Sequence, residues 1–142
     1  MSDHDAHLNQ AKHNEQLASE LAVSLKYKDW LITVSFYSAL HFIEAKLAIM
    51  SPPKHSDTSI PVDKDGKDRC SVHAWREELI KTHFKSIYRN YRKLRIDSQI
   101  ARYLTTSRRS YLPKSVQDYF EDSYARERFN TDLKEIKTKL DY

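Results

Sequence analysis

The chain has 142 residues, one glycine (Gly66), one cysteine (Cys70) and a formal net charge of +4. A β-rich fold of this length needs more turn glycine, and a lone thiol cannot form an internal disulfide and suits a reducing compartment. The charge is uneven: residues 1–71 carry a net −2 and residues 72–142 a net +6, so an anion such as nucleic acid is the class of partner to look for in the second half.

The opening decapeptide MSDHDAHLNQ has no basic-then-apolar leader pattern. From about Asp5 to Lys26, Leu8, Ala11, Asn14, Leu17, Ala18, Leu21 and Leu25 recur at helical spacing, with Asp3 or Asp5 as a cap. Lys26-Tyr27-Lys28 then reads as a connection and Asp29 as the next cap. Asp29 to Met50 is the segment around which the chain is organised. Phe36, Leu40, Ile43 and Leu47 form one stripe, and Trp30, Val34, Tyr37, His41, Ala45 and Ala48 a second beside it. A helix apolar over most of its circumference is a central helix covered on several sides. It also carries His41, Glu44 and Lys46, so it is not a membrane span.

Pro52 and Pro53 end this helix, and Ser51 to Cys70 reads as a long polar loop. Ser71 caps a third helix, Val72 to about His83, with Trp75, Leu79 and Ile80 inward. Phe84 to Leu104 follows, with Phe84, Ile87, Tyr88, Tyr91, Leu94, Ser98 and Ala101 on one stripe. The pattern leaves open whether these two segments are one bent helix or two. Residues 105–114 form a basic turn, and a last helix is expected from about Lys114 to Leu140. The expected architecture is an all-α, up-and-down bundle of four to five helices in a single domain.

Polar residues on apolar faces are what packing does not explain. His41 and Glu44 lie one turn apart on the central helix. His73 and Arg76 lie one turn apart on the third. Arg95, Ser98 and Arg102 lie at or beside the inner stripe of the fourth, flanked by Tyr91 and Tyr103. Convergence of these groups would give a pocket in which His moves protons near neutral pH and Arg holds phosphate. That chemistry suits cleavage of RNA without a metal: a base activates the 2′-hydroxyl and Arg stabilises the phosphorane. The same residues can instead satisfy one another across helices, for example as a Glu44–Arg102 ion pair. Lys85, Arg89, Arg92, Lys93 and Arg95 form a basic face that is either solvated or phosphate-binding. No metal-ligand spacing and no phosphate-cradling glycine loop is present, so neither a metal nor a cofactor is expected.

Three runs together, HNEQLASEL…YKDWLITVSFYSALHFIEAKL, HAWREELI and YRKLRIDSQIARY, resemble the HEPN superfamily of small helical bundles, over about Ala11 to Leu104. The resemblance implies a homodimer. It also implies either a metal-independent endoribonuclease of toxin–antitoxin or phage-defence settings, or a non-catalytic module that binds nucleotides or a partner such as an antitoxin or nucleotidyltransferase. Active members carry an Arg followed by four to six residues and a His. Here Arg76 and His83 fit that spacing, although Glu77 follows the Arg and the pair lies in the third segment rather than at the start of the last long helix. The resemblance thus makes Arg76 and His83 catalytic candidates beside His41, His73 and Arg102.

Overall fold

The structure is a computed structural model that describes residues 3–105 and 114–142. It is an all-α helical bundle, and the described residues include no strand, only an isolated bridge between Val62 and Asp68. Helix α1 (Asp3–Ser24) and helix α2 (Lys28–Ala48) form an antiparallel hairpin across a connection of three residues. Helix α3 (Val72–His83) and helix α4 (Tyr88–Tyr103) follow, then the short α5 (Val116–Tyr119). A final rod comprises α6 (Asp122–Glu127), a π-helical turn (Arg128–Leu133) and α7 (Lys134–Lys139). No helix among the described residues is long and apolar enough to cross a membrane.

Helix α2 is the centre, as its composition predicts. Leu31, Ile32, Phe36, Phe42, Ile43 and Leu47 are buried there against Leu79, Ile80, Ile87, Leu94, Leu133 and Ile136 of the surrounding elements. Helix α1 approaches it closely. Ala11 and Ala18 are fully buried, and Ser38 Oγ donates to the Ala11 carbonyl at 2.8 Å. The small side chains set this close packing, and they leave Leu17, expected on the inner stripe, 40% exposed.

Local signals placed the third helix well: Ser71 Oγ accepts from the Ala74 amide at 3.2 Å. Segments three and four are two elements. Phe84, at φ −132° and ψ 45°, separates them ahead of a 3-10 turn at Lys85–Ile87. The expected cap at Asp29 is instead a first-turn residue, because the helix starts at Lys28 with Tyr27 at its N-cap, two residues earlier. Lys28 is drawn inside by acceptors. Its ammonium donates to the carbonyls of Phe120 and Gln117 at 2.7 and 3.0 Å and pairs with Asp122 at 2.7 Å.

That contact also explains why the last segment is not one helix from Lys114 to Leu140. Phe120 is extended (φ −90°, ψ 127°), buries its ring, and presents its carbonyl to Lys28. The basic turn expected at 105–114 lies largely outside the described residues.

The polar segment between α2 and α3 has internal order. The amides of Thr58 and Ser59 donate to the His55 carbonyl at 3.2 and 3.1 Å. Asp63 Oδ1 accepts from the amides of Asp65 and Lys67 at 2.8 and 3.0 Å, around Gly66 at φ +78°. The first of these turns holds His55, Ser56 and Asp57 against α2, which positions the site.

Candidate functional site

Glu44 is the anchor. It is 1% exposed, and its two oxygens are separately engaged. Oε1 accepts from Arg76 Nε at 2.5 Å, and Oε2 accepts from the Ser56 amide at 3.1 Å with His55 Nε2 at 3.7 Å. Burial pushes the Glu44 carboxyl up, but the Arg76 charge and the hydrogen bonds from Ser56 and Arg76 outweigh it and hold the group below its ordinary value. The carboxylate therefore stays charged and partnered at neutral pH. Its partner is Arg76, not Arg102, so the ion pair expected between Glu44 and Arg102 is replaced by one between α2 and α3.

From this anchor a chain of imidazoles extends across the α1–α2 hairpin. His7 Nε2 lies 2.6 Å from His55 Nε2, and His7 Nδ1 lies 2.9 Å from His41 Nδ1. One backbone group fixes the proton positions. The Asp57 amide donates to His55 Nδ1 at 3.3 Å, so neutral His55 carries its proton on Nε2 and donates to His7. His7 must then donate from Nδ1 to His41, and His41 carries its proton on Nε2. His7 uses its two nitrogens on opposite sides, so the three rings form a line rather than converging on one point. Among the described residues no group of three or more His, Cys, Asp or Glu is disposed to hold a metal.

Burial lowers the His41 imidazole to about 4, with His7 and Arg76 adding to the effect. His7 is lowered by burial and then by His55. His7, within the expected first helix, and His55, within the expected polar loop, are not singled out by the polar pattern of the sequence.

On the other side of Arg76 lies His73. Arg76 Nη1 is 3.4 Å from His73 Nδ1, which makes that nitrogen an acceptor and puts the neutral ring's proton on Nε2. His73 is lowered by burial, then by the guanidiniums of Arg76, Arg102 and Arg95. The charges of three arginines thus act on one imidazole, with Arg76 in contact with it. Arg95 is paired with Glu77 at 3.2 Å and Arg76 with Glu44. Among the described residues no carboxylate lies within ion-pair distance of Arg102. Arg102 is exposed yet held: Nη1 donates to Tyr37 Oη at 3.0 Å, Nε to the Ser98 carbonyl at 3.2 Å and Nη2 to Ser98 Oγ at 3.3 Å. Its guanidinium also lies 5.6 Å from the Tyr37 ring centre and 5.0 Å from that of Tyr103.

No family model matches this chain, and neither a curated protein nor a solved structure matches it. The site is therefore read from its own geometry.

Of the residues singled out in the sequence, His41, Glu44, His73, Arg76, Arg95, Ser98, Arg102 and Tyr103 belong to this seam. Tyr91 borders it, with a buried hydroxyl that has no hydrogen-bond partner of good geometry and is pushed up by burial against the opposing Arg76 charge. His83 is exposed at the other end of α3, two turns or roughly 10 Å along the axis from Arg76, with its ring beside Phe84. Within this chain the Arg76/His83 spacing does not bring the pair together. Lys85, Arg89 and Arg92 are exposed on the outer face, and Lys93 lies 3.8 Å from Asp132. Of the five basic candidates, Arg95 is the one whose charge contributes to lowering His73.

The lowered imidazoles set an acid sensitivity. A His whose folded value lies below its unfolded one contributes stability above about pH 6.5 and loses it as pH falls toward the folded value. His7, His41 and His73 share this sign, and Glu44, also lowered, adds loss below its own unfolded value. The melting temperature is expected to fall steadily from about pH 6.5 to about 4. In His41→Gln the slope in that window should flatten. A melting temperature level across the window would show that these rings are not held neutral by the fold.

Proposed function

We propose that this chain is a HEPN-like helical domain that binds RNA, with a phosphodiester held at Arg102 beside His73 and Arg95. The observation that carries this reading is Arg102 itself. It is an exposed guanidinium with no carboxylate partner among the described residues, pre-set by Ser98 and Tyr37 and flanked by two tyrosine rings. A guanidinium held rigid before binding loses little entropy when it takes a phosphate, and its fork matches two phosphate oxygens. His73, with its proton on Nε2, adds an N–H donor beside it.

Binding is favoured over cleavage by the tautomers. Removing a proton from a 2′-hydroxyl needs an imidazole nitrogen that is free to accept. The contacts at Nδ1 leave His41 and His73 with protonated Nε2 atoms, which are donors. His41, at about 4, is also too weakly basic to be a protonated acid at neutral pH. The homodimer, the partner antitoxin or nucleotidyltransferase, the toxin or phage-defence setting and the cytoplasmic location follow from the resemblance and composition and form part of the same proposal.

The test is fluorescence anisotropy of an end-labelled single-stranded RNA titrated with the protein in EDTA, with the RNA then run on a denaturing gel. Saturable binding that survives chelation and weakens steeply with salt, with the strand intact, is the expected result. No binding at low salt would overturn the proposal. Binding with strand scission would replace the donor assignment with a nuclease.

A further inference from the structure

Trp30 is the residue the packing does not account for. It lies on the expected second stripe of the central helix, among residues destined for burial, yet it is 58% exposed. An indole is the largest apolar group a chain can leave in water, and this one borders a cavity. The cavity has a volume of about 170 Å³ and is lined by Asp29, Trp30, Thr33, Ala101 and Arg102. Trp30 and the Arg102 guanidinium therefore border the same space. Tyr103, 59% exposed, has its ring centre 5.0 Å from the Arg102 guanidinium.

The spacing along α2 extends this cavity to the rest of the site. Trp30, Tyr37, His41 and Glu44 are separated by seven, four and three residues and so share one face. Trp30 and His41 are eleven residues apart, which is roughly 16 Å along the axis. Arg102 borders the Trp30 cavity and bonds to Tyr37, one turn before His41. A flat aromatic group at one end, a guanidinium next to it and N–H donors beyond form a sequence of base, phosphate and phosphate contacts.

Resting on the RNA reading above, we propose that Trp30 is a base-stacking platform and that the strand taken by this site is single-stranded. A base in a duplex has both faces stacked and cannot lie on the indole, whereas an unpaired base can. The charge argues against a second copy of this chain as the occupant. A two-fold axis passing at Arg102, which has no carboxylate within ion-pair distance among the described residues, would set two guanidiniums together, like charge on like.

The test uses the Trp75→Phe protein, which leaves Trp30 as the only indole. Its emission is followed on titration with a short 2′-O-methyl oligonucleotide, which has no 2′-hydroxyl to attack its own backbone. Expected are saturable quenching of this indole and, by anisotropy of the same oligonucleotide end-labelled, which also reports on variants without an indole, an affinity for the single strand lower by roughly 10-fold or more in Trp30→Ala, with most of it kept in Trp30→Phe. The same strand in a duplex should bind more weakly, and equally in both proteins. Unchanged single-strand affinity in Trp30→Ala would overturn the platform, and would leave the RNA reading standing if Arg102→Ala still loses binding. A wild-type dimer that Trp30→Ala converts to a monomer in sedimentation would also overturn it, assigning the patch to a second copy.

Discussion

Glu44→Ala is expected to destabilise the protein by roughly 3–5 kcal/mol, the cost of leaving one member of a buried ion pair alone. Arg76 is 5% exposed, and the Ser56 amide beside it belongs to a fully buried residue. Truncating Glu44 leaves the Ser56 amide without its acceptor and the buried Arg76 guanidinium with only the exposed Asp57 carboxylate, 4.0 Å away. The loss should appear in urea as a lower midpoint at an unchanged slope. Glu44→Gln should fall short of wild type as well, since it keeps an acceptor for Ser56 but leaves the Arg76 charge only the exposed Asp57 at 4.0 Å. Replacing both partners, Glu44→Met with Arg76→Met, should recover most of the loss, because two apolar side chains do not need to be solvated. A single-variant cost below about 1 kcal/mol would mean that water reaches the pair, and that Glu44 does not anchor α3 and the His55 turn to α2.

Arg102→Ala is expected to have the opposite profile, with a large effect on binding and a small one on stability. The residue is exposed and its bonds are to neutral acceptors, so the folding cost should lie within about 1 kcal/mol. Loss of a charged hydrogen-bond donor to phosphate is worth about 1.5–3 kcal/mol, or roughly 10- to 100-fold in affinity. Arg102→Lys should recover only part of it. The ammonium restores the charge but not the fork, and it cannot lie flat between Tyr37 and Tyr103. Equal RNA affinity in wild type and Arg102→Ala, with both folded by circular dichroism, would remove the residue on which the functional reading rests.

The helices were legible because their signals are local. Ser71, the proline pair at 52–53 and the unbroken apolar run of α2 each act within a few residues, and the boundaries of α3 follow from them. What escaped depends on contacts between distant segments. Lys28 joined α2 because the Phe120 and Gln117 carbonyls lie across the fold, and the same contact broke the last segment at Phe120. His7 is not among the candidates the polar pattern singles out, yet a signal for it exists. Ala11 on α1 faces Ser38 of α2, and the bond from Ser38 to the Ala11 carbonyl sets the register of the hairpin. One turn before Ala11 is His7, and about one turn after Ser38 is His41. An antiparallel pairing read from the small residues would have put those two rings together. His55 had no such signal, since its position depends on a turn in a polar segment whose order comes from its own backbone bonds. Trp30 was misread for the opposite reason: apolar periodicity gives a face but not whether anything covers it.

The measurement that bears most directly on the account is the salt dependence of binding to one single-stranded RNA in EDTA, for wild type and Arg102→Ala side by side. The account predicts that the variant binds more weakly at every salt concentration, and that its log–log slope is shallower by about 0.7, the contribution of one phosphate contact on a single strand. Parallel slopes with equal affinities would contradict it, because the strand would then be held by charges other than the guanidinium at the centre of the proposed site.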